Sequence, residues 1–200
     1  IEWFHRDSQR MTSGTEEMEK FISNFDRAKG RQHNLRTLEK VYRLYWKSLN
    51  GHWSSHWSKI FLFDALIANT DRHQENWGII WDSTSGSASW TPAFDNGTSM
   101  GFEFLEERLN QISIENHTRN GRHHIRENQE SDQRFGHLEL VKHLVYRFPA
   151  TRTIMRACLT FSMDELRKEL SELIQCVVPV PFTPERACFV YALIDYRRER

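Results

Sequence analysis

The chain has 200 residues, with 27 basic side chains against 27 acidic ones and a mean hydropathy of −0.68. That length suits one domain with a substantial core. Balanced charge removes any whole-molecule argument for binding nucleic acid or a membrane, and no apolar run approaches a bilayer span, so function must sit in a local site. Cys158, Cys176 and Cys188 are odd in number and lack CxxC spacing, which predicts buried reduced thiols and a cytoplasmic setting. The chain opens at Ile1, and IEWFHRDSQR has neither the basic nor the apolar region of a signal peptide, so we read it as a fragment or a processed product.

Ser13 stands three residues before Glu16, the spacing of a capping box, and predicts a first helix from about Thr15 to Ala28 with Met18, Phe21, Ile22 and Phe25 on one face. LRTLEKVYRLYW predicts a second helix. SHWSKIFLFDALIANT is apolar on nearly every side, as expected of a helix buried in mid-domain. Its end delivers Asp71 to a loop. NWGIIWD and ASWTP, separated by the turn residues STSGS, predict a small hairpin. Beyond Gly101 the chain is polar and weakly periodic, with a short helix around FEFLEERL and then an exposed segment. LELVKHLVYRF, TRTIMRACLTF, MDELRKELSELIQ with Ser162 before it, and ERACFVYALIDYRRER opened by Thr183-Pro184 all predict helices.

The expected architecture is therefore mainly α with one small β-hairpin. Over a single domain of 1–200, residues 1–54 are leading helices, 55–100 carry a loop and hairpin site, 101–136 form an exposed polar segment and 137–200 a helical array.

Chemistry concentrates in Asn69-Thr70-Asp71-Arg72-His73-Gln74-Glu75-Asn76 and, after the hairpin, Pro92-Ala93-Phe94-Asp95-Asn96-Gly97. In protein kinases a loop Asp accepts the proton of the acceptor hydroxyl, an Asn five residues later binds Mg²⁺, and a second Asp beyond a short hairpin holds the metal bridging the phosphates. Asp71, Asn76 and Asp95 follow that order and spacing. Mg²⁺ needs only one or two protein oxygens, because water and phosphate complete its octahedron.

FDALIANTDRHQENWGII followed by WTPAFDNGTSMG resembles the HipA family of bacterial kinase-fold proteins, in which an N-T-D-x-H-x-x-N loop precedes T-P-x-[FY]-D. GRHHIRENQESDQRFGHLELVKHL and PFTPERACFVYALIDYRRER are similar to the carboxy-terminal helices of that family, so the resemblance covers most of the chain. It implies a protein-kinase-like carboxy-terminal lobe with the amino-terminal lobe absent, and ATP and Mg²⁺ as cofactors. It also implies Asp71 as catalytic aspartate, His73 as its supporting residue, and Asn76 and Asp95 as ligands of the metal and its nucleotide. The implied substrate is a serine or threonine of a protein. The implied setting is a toxin–antitoxin pair in which an antitoxin, or a separate lobe, binds the kinase without direct contact to nucleic acid or membrane. The Asp-Arg-His-x-x-Asn string also matches phosphoinositide kinases, which keeps a lipid acceptor as an alternative.

One departure stands out: neither GxGxxG nor GxxxxGK occurs among the nine glycines. A kinase needs a glycine-rich cover over the phosphates and a strand lysine paired to a helix glutamate. We therefore expect another lobe or partner to supply them and the chain alone to be a weak or inactive enzyme, with a non-enzymatic interaction module as the competing class. Arg72 is expected to tie the loop to a nearby carboxylate and Glu75 to be solvated. His52 and His56, spaced i, i+4, read as packing residues beside Trp53 and Trp57 rather than zinc ligands. His123-His124 reads as exposed loop, and Arg197-Arg198-Glu199-Arg200 as a solvated helix end.

Overall fold

A computed structural model describes residues 6–49 and 51–200. The first five residues and Asn50 lie outside it, and with them half of the stretch read for a signal peptide.

The chain begins with a strand that the pattern of apolar residues does not announce, β1 (Gln9–Ser13), and passes directly into α1 (Gly14–Glu19). The capping box forms as expected: Glu16 N–H donates to Ser13 Oγ at 3.2 Å, and Ser13 N–H to the Glu16 carboxylate at 2.7 Å. The helix stops far short of Ala28. Asn24 takes a left-handed φ of 61°, and the Asp26 side chain accepts from Lys29 N–H at 2.9 Å. Such short polar side chains offer the backbone partners that compete with helix continuation. Phe21, Ile22 and Phe25 nonetheless pack on the core.

Two expected helices follow. In α2 (Leu35–Tyr45), Asn34 caps the first turn and Leu35, Leu38 and Val41 face inward. In α3 (Trp53–Ile67), His52 is the cap and Trp53, Trp57 and Phe61 are fully buried, as an all-apolar helix requires. His56 stacks on Trp90 with ring centroids 5.5 Å apart. Both histidines thus do the structural work expected of them.

The hairpin is β2 (Gly78–Asp82) and β3 (Ala88–Trp90), with Ile79 opposite Trp90. It is not alone. Strand β1 adds antiparallel to its other edge, Ser13 opposite Gly78 and Gln9 opposite Asp82, making a three-stranded sheet. Trp57, Trp77 and Trp90 meet where this sheet covers α3.

The polar segment is more ordered than its composition predicts. A 3-10 turn (Glu106–Gln111) replaces the expected helix around FEFLEERL, and α4 (Ile114–Asn120), capped by Ser113, leads into β4 (Arg122–Arg126), which pairs with β5 (Arg134–Gly136). His123, His124 and Ile125 are all buried, correcting their reading as exposed loop. Hydropathy cannot find a buried strand whose polar side chains are hydrogen-bonded, because such groups are tolerated inside once paired.

The array α5 (His137–Arg147), α6 (Thr151–Cys158), α7 (Met163–Ile174) and α8 (Pro184–Arg198) closes the chain as expected. Two details differ. All three cysteines are exposed. Arg197, read as part of a solvated end, is 3% exposed because its guanidinium turns inward onto the Ala65 carbonyl of α3. Periodicity gives a residue a helix face; packing decides which face is covered. Among the described residues no helix is long and apolar enough to cross a membrane.

Candidate active site

Helix α3 carries one carboxylate in an apolar surround, Asp64, which is fully buried. Buried charge is tolerated only when paired and hydrogen-bonded, and Asp64 meets both conditions. Its Oδ1 accepts from Arg72 Nη2 at 2.8 Å and Asn69 Nδ2 at 2.9 Å, and its Oδ2 from Arg72 Nε at 3.1 Å and His123 Nε2 at 3.0 Å. Burial raises this carboxyl, but the hydrogen bonds from His123 and Arg72 outweigh it and hold it down at about 2. His123 is a donor here because its Nδ1 accepts from Ile125 N–H at 3.1 Å, leaving the proton on Nε2.

The loop after α3 hangs from this centre. Ala68 turns left-handed (φ 57°) to end the helix. Asn69 then holds Asp71 N–H through Oδ1 at 3.1 Å and the Thr98 hydroxyl at 3.1 Å, while its carbonyl accepts from His137 Nε2 at 2.6 Å. Strand β4 and helix α5 thus anchor the loop from behind.

Asp71 stands half-exposed at the mouth, its side chain 43% accessible. His73 Nδ1 accepts from Glu75 N–H at 3.1 Å, so the neutral ring carries its proton on Nε2, 3.8 Å from Asp71 Oδ2. Asn76 donates through Nδ2 to the Asp71 carbonyl at 2.7 Å, and its Oδ1 accepts no hydrogen bond among the described residues. Glu75 is exposed, as read from sequence.

Arg72, expected to tie the loop to a carboxylate, also reaches across to the second motif. Its Nη1 donates to the Asn76 carbonyl at 3.0 Å and to the Phe94 carbonyl, and its Nη2 to Asn96 Oδ1 at 2.5 Å. One nitrogen therefore brings the backbone at Asn76 against the residue before Asp95. Asp95 itself is exposed and left-handed, φ 52°, with no hydrogen bond to its carboxylate among the described residues. Non-glycine residues in this region are strained and persist where surrounding contacts over-determine them; here the contacts are those of Phe94 and Asn96 to Arg72.

Among the described residues, no three or more His, Cys, Asp and Glu side chains are arranged to hold a metal ion. The chemistry of Asn76 Oδ1 and the Asp95 carboxylate, two hard oxygens without protein partners, fits the few ligands that Mg²⁺ takes from a protein.

Asp64, His137 and Arg134 were not singled out in the sequence, and Asn69 and His123, though named there, were given no role at the site. A signal existed for Asp64, the lone charge in FLFDALI. Nothing local marked His137 or Arg134. Burial and Arg126 hold Arg134 below its ordinary value while Asp71 pulls it back up, which makes Arg134 an electrostatic neighbour of the loop aspartate. Behind them a histidine chain runs into the core. Trp77 Nε1 donates to His33 Nε2 at 3.0 Å, so His33 presents Nδ1–H to His124 Nδ1 at 3.3 Å, and the His124 ring lies edge-on to His73 at 5.7 Å.

No family description matches the sequence, and none of the curated proteins matches it. Among solved structures, the crystal structure of a Helicobacter pylori proinflammatory kinase, CtkA, superposes with a TM-score of 0.68 at 14% sequence identity, covering 98% of this chain and 70% of that one. At that identity the likeness establishes the fold: mostly helical with small antiparallel sheets, of the kinase kind.

Proposed function

We propose that this chain is the catalytic lobe of a HipA-like kinase that transfers the γ-phosphoryl group of ATP to a serine or threonine hydroxyl of a protein. One arrangement supports the reading above others. Asn76 spends its amide nitrogen on the Asp71 carbonyl and keeps its oxygen bare, while Arg72 binds both neighbours of Asp95 and leaves that carboxylate free. Such a design holds two oxygen ligands ready and does not consume them.

Asp71 accepts the hydrogen bond of the acceptor hydroxyl and takes its proton as the new P–O bond forms and the bond to the β-phosphate oxygen breaks. His73, its Nε2 3.8 Å from the Asp71 carboxylate, is assigned the supporting role in the loop. Arg72 carries no substrate; it positions the loop and the Asp95 segment with respect to each other. Asn76 and Asp95 would hold Mg²⁺, which when bound neutralises charge on the transferring phosphates. The glycine-rich cover missing from the sequence is assigned to another lobe or partner.

Titration calorimetry with ATP, with and without Mg²⁺, on the chain and on the full-length product of its gene tests the reading. Mg²⁺-dependent binding by the full-length product, lost in Asp95→Asn, is the expected result. If neither protein binds nucleotide, the absence of a glycine-rich loop counts instead for an interaction module built on a kinase fold.

A further inference from the structure

On the side of α3 where α5, α6 and α8 pack lies a cavity of about 530 Å³ that the phosphoryl-transfer reading does not use. Its walls are apolar, with Leu66 from α3, Val141 and Val145 from α5, and Met155 from α6. The volume falls in the range of about 300–1,000 Å³ typical of small-molecule pockets.

The charged residues around it are of one sign. Lys142, Arg152, Arg156, Arg197, Arg198 and Arg200 line the cavity, and no acidic residue does so among the described residues. None of these cations makes an ion pair among the described residues. Arg198 and Arg200 lie instead over the rings of Phe161 and Tyr196, at 4.9 and 4.6 Å. In a chain of zero formal net charge this clustering is local.

Arg197 adds an independent sign. It is 3% exposed and donates to the Ala65 carbonyl and, at 3.4 Å, to the Thr118 hydroxyl, but its Nη2 is buried without a hydrogen-bond partner among the described residues. Burial pulls its guanidinium down to about 10, which still leaves it charged at neutral pH. A buried cation with an unused donor, beside an apolar cavity with a basic rim, is a desolvation cost that an incoming anion would offset.

We infer that this cavity binds an amphipathic carboxylate, its hydrocarbon chain between α3, α5 and α6 and its carboxylate at Arg152 and Arg156, near the buried charge of Arg197. The occupant is a small acyl anion rather than an acidic protein segment, because the site is a pocket of ligand size whose apolar walls stand beside a wholly basic rim.

Titration calorimetry with laurate, with dodecanol as the uncharged control, tests this on the intact chain. Laurate should bind with one-to-one stoichiometry and dodecanol about tenfold more weakly or worse, the scale of one charged contact. Arg152→Glu/Arg156→Glu, which lies on exposed positions, should weaken laurate by about tenfold or more, and Val145→Phe, which fills the cavity without changing charge, should do likewise. Circular dichroism confirms that each variant is folded. Equal binding of laurate and dodecanol, or laurate binding that survives both substitutions, would overturn the proposal. So would an acidic amphipathic peptide that binds the chain, with loss on Arg152→Glu/Arg156→Glu, when laurate does not.

Discussion

Asp64 and Arg72 form a fully buried ion pair in which two guanidinium nitrogens meet two carboxylate oxygens, at 2.8 and 3.1 Å. The pair links three parts of the chain at once: Asp64 belongs to the buried helix, Arg72 to the loop after it, and the remaining donors of Arg72 reach Asn76, Phe94 and Asn96. Loop and hairpin exit are thereby held on one scaffold.

Removing the cation should be costly. Arg72→Met leaves Asp64 buried with only Asn69 and His123 as donors, and breaking a buried pair from one side costs about 3–5 kcal/mol. Urea unfolding should show that loss. Arg72→Lys keeps the charge but lacks the fork, so it should recover only part of it. A variant as stable as the parent would mean that the pair does not organise the loop.

Asp71→Asn should behave differently. The Asp71 side chain is half-exposed and its backbone, not its carboxylate, carries the loop's hydrogen bonds. Stability should stay within about 0.5 kcal/mol of the parent, while transfer of the γ-phosphoryl group, measured in single turnover on the full-length protein, should fall by about 10²–10⁴. Unchanged transfer would remove Asp71 from the chemistry.

The buried histidines predict a dependence on pH. Burial first, then neighbouring positive charge, lowers His124 and His137 from an ordinary value of 6.5 to about 3, and lowers His33 well below that ordinary value. A histidine lowered in the folded state is neutral there, so the unfolded chain binds the extra proton. The stability these residues contribute is complete above pH 6.5 and drains away as pH falls from 6.5 toward 3. Between pH 6.5 and about pH 5 the loss is on the order of 2 kcal/mol for each of His124 and His137, readable as a falling urea midpoint. Asp64 acts in a lower window: its contribution is present above 3.8 and lost as pH drops toward 2. A midpoint that is flat from pH 7 to about pH 5 would contradict burial of neutral rings.

Gly14 opens α1 beside the site, and a Cβ there would overlap the Trp77 ring and lie 2.6 Å from the Gln74 carbonyl. Gly14→Ala gains at most about 1 kcal/mol from helix propensity. Overpacking against a backbone carbonyl costs about 1–3 kcal/mol, so the net effect should be destabilising. Thermal denaturation showing a more stable variant would refute the close approach.

The parts of this protein that were legible in its sequence are those with short-range causes. Capping residues Ser13, Ser162 and Thr183 sit where their side chains meet backbone donors within three residues, and each starts a helix. The hairpin, the apolar helix α3 and the loop spacing from Asp71 to Asn76 depend on neighbours in the chain, so periodicity and turn chemistry suffice to place them. Even Arg72 could be read as a tie to a carboxylate, because Asp64 lies only eight residues away.

Tertiary structure alone decided the rest. Strand β1 exists because β2 offers it an edge, although QRMTS carries little pattern of its own. His123 is buried because Asp64, 59 residues earlier, needs a donor, and Arg197 because the carbonyl of Ala65, 132 residues earlier, needs one. The inside or outside position of a polar side chain is set by whether a distant partner can satisfy it, and that partner is chosen only when the chain packs.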